Sequence, residues 1–298
     1  MTARGVAVTG ASGFIGRHLC AALGGNGRVI RIGRGTSGDA GHRRTDYGEE
    51  SLVSALEGAD AVVHLAGRRM VRADDPMDIE PFLAPNVIAV RNLVRAAQRA
   101  GVGRIVLAST IAVYSAPSGL PYREDGPPAP VNAYGLSKLM AEETLSLMTR
   151  EGSVSAVSLR LAAVYGHGER ISSALMKFAD RAARGERITI TGNPDYRIDQ
   201  IYVADAVAAI LAALDAGDAT GTVNVGGGAP YSVLEIAETI NAVYGNDGNL
   251  ALEPKVDQPV RKSFMVLDRA REALGWQPKY GLREGLTAMR NAADADGR

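Results

Sequence analysis

The chain begins with a short apolar run at residues 6–8, breaks at a glycine-rich stretch, and resumes from residue 17 with apolar residues three and four apart. That change of period marks a strand passing through a tight turn into a helix. Apolar runs at 28–32, 59–67, 103–108, 155–161 and 222–226 predict further strands. Helical spacing at 87–100, 139–148, 173–184, 206–214 and up to residue 243 predicts helices among them, and a last helix follows Pro278. Residues 115–130 hold five prolines with glycine and charge, and predict an irregular loop. Composition changes at Val164-Tyr165-Gly166-His167-Gly168, and the core pattern returns at Gln200 to Asp205. There is no internal repeat, heptad array or low-complexity segment.

The first turn carries the strongest chemical signal. In Thr9-Gly10-Ala11-Ser12-Gly13-Phe14-Ile15-Gly16 the three glycines have separate tasks. Gly10 permits the turn, Gly13 lets the backbone approach a pyrophosphate, and Gly16 lets helix and strand pack closely. Helix amides and the helix dipole then face the phosphates. The second strand ends at Gly33-Arg34-Gly35, where a site for NAD usually places a carboxylate on the ribose 2'-hydroxyl. Arg34 suits a 2'-phosphate instead and points to NADP, the alternative being a solvated loop arginine. Asp46 and Tyr47 are placed to flank the adenine, and the small residues of Leu65-Ala66-Gly67 let a cofactor lie across the strand ends. His64, inside an apolar run, reads as a core histidine. Asn86 opens the helix at 87–100.

Ser109 and Thr110 stand at the carboxyl end of the strand at 103–108, the end where an open parallel sheet binds ligands. Downstream, Tyr134 and Lys138 lie four apart and share a helix face. A nearby ammonium favours the phenolate and draws the tyrosine towards the range where it trades a proton with a hydroxyl or ketone.

Lysine plus arginine (33) balances aspartate plus glutamate (33), with no long basic run, which argues against a nucleic acid or anionic membrane as general partner. Small anionic ligands remain open to local arginines. The single cysteine, Cys20, reads as a small core residue, and no disulfide or metal is required. With no leader and no membrane-spanning apolar run, a cytoplasmic protein is expected.

Taken together, the glycine turn, Leu65-Ala66-Gly67, Asn86, Ser109-Thr110 with Val113-Tyr114, Tyr134 to Lys138, Leu159-Arg160 with Val164-Tyr165-Gly166, Tyr202-Val203-Ala204-Asp205 and Leu274-Gly275-Trp276 resemble one family across almost the whole chain. It is the extended short-chain dehydrogenase/reductases, the group of NAD-dependent sugar epimerases and dehydratases. The resemblance implies an α/β fold. Its doubly wound parallel-sheet Rossmann domain would span 1–165 with returning segments at 199–228, and a smaller substrate lobe 166–198 and 229–298. It implies Tyr134 as acid/base, Lys138 on the nicotinamide ribose, Thr110 (with Ser109 as its neighbour) on the reacting oxygen, and Arg261 on a nucleotide diphosphate. It also implies a homodimer built on the helices at 87–100 and 139–148.

Several positions depart from the family. Ile111 and Ala112 replace the Asp-Glu pair of the 4,6-dehydratases, which disfavours loss of water. Ile198 stands where an arginine often holds the diphosphate, leaving Arg197 one residue earlier as the candidate, and His167 replaces a usual proline. Arg34 suits an enzyme that exchanges NADP. The expectation is therefore an NAD(P)-dependent enzyme acting on a nucleotide-sugar, first a 4-ketoreductase and alternatively an NAD-dependent 4-epimerase. A non-catalytic dinucleotide sensor is the reading from another class.

Overall fold

The computed structural model describes residues 5–24, 29–35, 41–170, 173–253 and 262–297. Strand β1 (Val6–Thr9) is wholly buried, and helix α1 (Phe14–Leu23) follows it directly. Strands β2 (Val29–Gly33) and β3 (His42–Arg44) run outward from β1, and α2 (Glu49–Leu56) returns the chain to β4 (Ala61–His64) on the other flank of β1. A short α3 (Glu80–Phe82), a π-helical turn (Leu83–Ile88) and α4 (Ala89–Ala100) lead to β5 (Arg104–Thr110). Helix α5 (Ala133–Thr149) leads to β6 (Ser155–Leu161).

The chain then leaves the sheet through β7 (Ala163–Tyr165), α6 (Ala174–Ala183), β8 (Ile188–Thr191) and β9 (Arg197–Tyr202). It comes back with α7 (Val203–Asp215) and β10 (Gly221–Val225). It ends with β11 (Pro230–Ser232), α8 (Val233–Tyr244), β12 (Leu250–Glu253), β13 (Lys262–Ser263), α9 (Asp268–Leu274) and α10 (Leu282–Ala295).

The central sheet has seven strands in the order β10-β6-β5-β4-β1-β2-β3, every pairing parallel. The connection from β1 goes one way and the later strands go the other, so the order reverses between β1 and β4. A crevice opens there at the carboxyl ends. Alternate residues of the strands feed two layers. Val6, Val8, Val63 and Val106 pack with Leu19 and Cys20 of α1 and Ile210 of α7; Ala7, Ile30, Val62 and Ile105 pack with Leu52 of α2, Leu93 of α4 and Leu145 of α5. Cys20 is thus a core residue, and burial raises its thiol.

The smaller lobe is built on a mixed sheet, β11-β9-β13 with β7 also on β9, beside the parallel pair β8–β12. Among the described residues no helix is long and apolar enough to cross a membrane, and no group of three His, Cys, Asp or Glu is placed to hold a metal.

Three local outcomes differ from the pattern. The apolar run at 59–67 is strand only through His64, and its last residues turn out of the sheet. The polar edge strand β3 gives no apolar signal at all. Asn86 does not open a helix but sits inside the π-turn, where Pro85 has no N–H to close an α-helical bond and the backbone widens.

Candidate active site

Gly10 adopts φ +69°, open to glycine without strain. A Cβ on Gly16 would lie 2.2 Å from the Gly10 carbonyl oxygen and one on Gly13 3.1 Å from the same atom, so the turn is closed to side chains. Gly13 is the N-cap of α1 and offers no capping side chain, which leaves the first-turn amides of Phe14, Ile15 and Gly16 open to an anion. Ser12 and Gly13 are exposed at its mouth. This cradle fits a dinucleotide pyrophosphate.

The expected adenosine end is brought together at the tip of β2. The Arg34 charge reaches the Tyr47 phenol, which burial pushes up. Asp46 accepts from the Gly48 amide (2.7 Å) and the Ser51 hydroxyl (2.5 Å), and these bonds hold its carboxyl below the usual range. On the other side, Leu65 and Ala66 leave β4 beside the glycine turn, and a Cβ on Gly10 would meet the Ala66 amide at 2.8 Å. Gly67 is small for a different partner, since a Cβ there would lie 2.9 Å from Asn86 Oδ1. Asn86 is itself 1 % exposed and spent on protein. Its Oδ1 accepts from the Arg68 amide (2.8 Å), and its Nδ2 donates to the Arg68 carbonyl (3.1 Å) and Ser137 Oγ (2.8 Å). It shapes the loop after β4. His64 shares a 2.8 Å hydrogen bond with Thr9 Oγ1, and burial drives its pKa down to about 3, so it is neutral core.

Thr110 ends β5, and the Asn132 side chain caps α5 by accepting from the Gly135 amide at 2.8 Å, setting Tyr134 in the first turn. Gly135 is required there, because a Cβ would lie 2.2 Å from the Ala112 carbonyl oxygen. The Thr110 side chain lies at the Tyr134 phenol. Burial raises the Tyr134 pKa, while Thr110 and the Arg69 charge pull it back. Lys138 is 7 % exposed, and burial lowers it to about 8, opposed by the Glu142 carboxylate. The pull on the tyrosine thus comes from Thr110 and Arg69 rather than from the lysine anticipated by spacing.

Beneath the site, Glu142 pairs with Arg160 at 2.7 Å and accepts from Ser109, while Arg160 donates to the Tyr114 hydroxyl at 2.6 Å. Ser109 therefore faces this network and only Thr110 faces the tyrosine.

Beyond the sheet edge, a cleft of about 870 Å³ is lined by Lys177, Arg181, Thr189, Asn193, Tyr196 and Ile198 among others. Arg197 is not part of it. Side chains alternate along β9, so Arg197 turns the other way, to the Pro230 carbonyl (3.1 Å) and the Glu235 carboxylate (3.2 Å). The cations in the cleft are Lys177 and Arg181, four apart on α6, a spacing readable in the sequence once that helix is known to border a site. Arg261 lies outside the described residues. The loop residues Arg69 and Glu169, 3.7 Å apart, also escaped sequence reasoning, which had no way to pair two loops a hundred residues apart.

The doubly wound parallel sheet, with a glycine turn at its switch point and threonine, tyrosine and lysine side chains at the neighbouring strand end, is that of a dinucleotide-dependent oxidoreductase of the short-chain type. The chain belongs to the NAD dependent epimerase/dehydratase family, whose model matches residues 6–226. A UDP-glucose 4-epimerase of Azospirillum brasilense is 31 % identical over 94 % of this chain and 89 % of its own. The crystal structure of UDP-N-acetylglucosamine 4-epimerase from Bacillus cereus superposes with a TM-score of 0.89 at 31 % identity, covering 98 % of this chain and 96 % of that one. MoeE5 in complex with UDP-glucuronic acid and NAD gives a TM-score of 0.85 at 32 % identity, over 98 % and 99 %.

Proposed function

We propose that the protein inverts C4 of a nucleotide-linked hexose, with NAD held in the crevice between β1 and β4. The observation that carries this reading is Thr110 and Tyr134 brought together at the carboxyl end of β5, with Lys138 on the same helix. The likeness to two 4-epimerases supports it. When bound, the nicotinamide supplies an acceptor and donor of hydride. Tyr134 takes the proton of the C4 hydroxyl as the C4 hydrogen leaves, and returns it when hydride comes back on the other face. Thr110 holds the same oxygen throughout. Lys138, brought to about 8 by burial, holds a ribose hydroxyl, and the Arg69 charge supports the phenolate. Ile111 and Ala112 offer neither acid nor base, so no water is lost. Lys177 and Arg181 neutralise the diphosphate and Tyr196 borders the nucleoside end.

A second reading, a 4-ketoreductase that exchanges NADPH, is favoured by Arg34 at the tip of β2, where a carboxylate would hold an NAD ribose. The purified protein is denatured and any released nucleotide identified by mass spectrometry, then the empty form is titrated with NADH and NADPH. Resident NAD supports the epimerase. An empty site that binds NADPH far more tightly than NADH supports the reductase.

A homodimer through α4 and α5 is part of the same proposal. Leu136, Met140 and Leu147 form an exposed stripe on α5, next to exposed Ile88 at the start of α4. Light scattering of wild type and Met140→Glu checks it, with dimer expected for the first and monomer for the second.

A further inference from the structure

Two loops close on one another across the crevice. Arg69 leaves β4 just past Gly67, and its charge reaches the Tyr134 hydroxyl. Its Nη2 also lies 3.7 Å from Glu169 Oε1. Glu169 belongs to the loop after β7, and that loop is clamped to the first turns of α1. Arg17 donates to the Gly168 carbonyl (3.0 Å), the His18 ring is bonded to the His167 carbonyl (2.9 Å), and Gly166 packs so tightly that a Cβ there would lie 3.3 Å from the Phe14 ring. One end of the pair is therefore fixed to the helix that offers its amides to phosphate, and the other stands beside the tyrosine. The space between those two landmarks is where the nicotinamide half of a dinucleotide has to lie.

The two side chains are unequal. Glu169 is 3 % exposed, and burial pushes its carboxyl up to about 7 although Arg69 draws it back; Arg69 is 65 % exposed, so the carboxyl is a buried anchor, charged above that pH, and the arginine an arm at the surface. Glu169 Oε2 has no hydrogen-bond partner among the described residues, an unsatisfied buried acceptor that the arginine offsets only in part. Fold stability alone gives little reason to keep such a group, since a pair this exposed on one side contributes little.

We propose that Arg69 and Glu169 form an ionic strap over the bound dinucleotide that slows its departure between turnovers. This rests on the reading of a resident cofactor given above. The strap needs no movement of either lobe, because swinging the Arg69 side chain away opens it.

The test is the rate at which NADH leaves. Wild type, Arg69→Ala, Glu169→Gln and the double variant are loaded with NADH and chased with excess NAD, and the loss of bound-NADH fluorescence is followed. Each single variant is expected to release NADH faster, by up to about five-fold, the change that an ion pair of roughly 1 kcal/mol allows. The double variant should be no faster than either single one, because both remove the same contact. Arg69 is exposed, so Arg69→Ala keeps the fold and reads the strap even if Glu169→Gln does not. Equal release from wild type and Arg69→Ala overturns the strap while leaving the proposed function standing. Failure of the wild type to bind NADH or NADPH overturns both.

Discussion

The Glu142–Arg160 pair sets the position of the helix that carries Tyr134 and Lys138, and breaking it should be costly. Both side chains are almost wholly buried, 2 % and 4 % exposed. The guanidinium donates to Glu142 through Nε and Nη2 at 2.7–3.2 Å, and rests over the Tyr114 ring with 4.8 Å to the centroid. Glu142→Gln preserves volume but leaves Arg160 buried without a counter-charge. Removing one partner of a buried pair costs about 3–5 kcal/mol. At roughly 2–4 °C per kcal/mol for a chain of this class, the melting temperature should fall by about 6–20 °C. Replacing both partners by apolar residues, Glu142→Leu with Arg160→Met, removes the stranded charge, so the double variant should lose less than the single one despite the larger change. Scanning calorimetry of the three proteins decides it. A Glu142→Gln protein that melts within about 2 °C of wild type, or a double variant worse than Glu142→Gln, would refute the view that charge compensation holds α5 in place.

Other outcomes follow from single contacts. Gly16→Ala should abolish dinucleotide binding, because its Cβ would sit 2.2 Å from the Gly10 carbonyl oxygen, whereas Gly217→Ala meets nothing within 4 Å and should bind normally in the same titration. Arg104 is 1 % exposed and donates to the carbonyls of Ala213 (2.8 Å) in the last turn of α7 and Ala219 (2.7 Å) beyond it; Arg104→Met strands those acceptors at about 1–3 kcal/mol each and should lower the urea midpoint with an unchanged slope. Asp199 is 1 % exposed, and burial pushes its carboxyl from 3.8 up to about 6 although it accepts from the Gly227 amide. Its folded pKa is raised, so the stability it contributes is full below 3.8 and is lost as pH rises through about 6. The melting temperature of wild type minus that of Asp199→Asn should therefore shrink between pH 4 and pH 7; a constant difference contradicts the assignment.

Much of the larger lobe was legible in the chain itself. Residues 6–16 announce strand, turn and helix because glycine spacing and apolar period change at the same place, and the structure adds only that the helix starts at Phe14. The Tyr134–Lys138 face was readable from spacing plus its position after Thr110. What was not readable depends on contacts between distant segments. Asn86 looked like a helix start, but its amide is consumed by Arg68 and Ser137, partners 18 and 51 residues away. Arg197 looked like a phosphate ligand until the alternation along β9 turned it to Glu235. Lys177 and Arg181 carried no motif, and Arg69 with Glu169 had none either. Beyond β6 the short strands give weak periodicity, so the order of the sheet β11-β9-β13 was not readable.

The most direct test of the account is to mix the purified protein, with no cofactor added, with UDP-glucose, UDP-N-acetylglucosamine or UDP-glucuronic acid and follow the sugar by NMR, beside Tyr134→Phe. The expected result is C4 inversion of one of these sugars by the wild type and none by Tyr134→Phe, which still releases a dinucleotide on denaturation. Inversion that persists in Tyr134→Phe, or a wild type holding NAD that inverts none of the three, would contradict it.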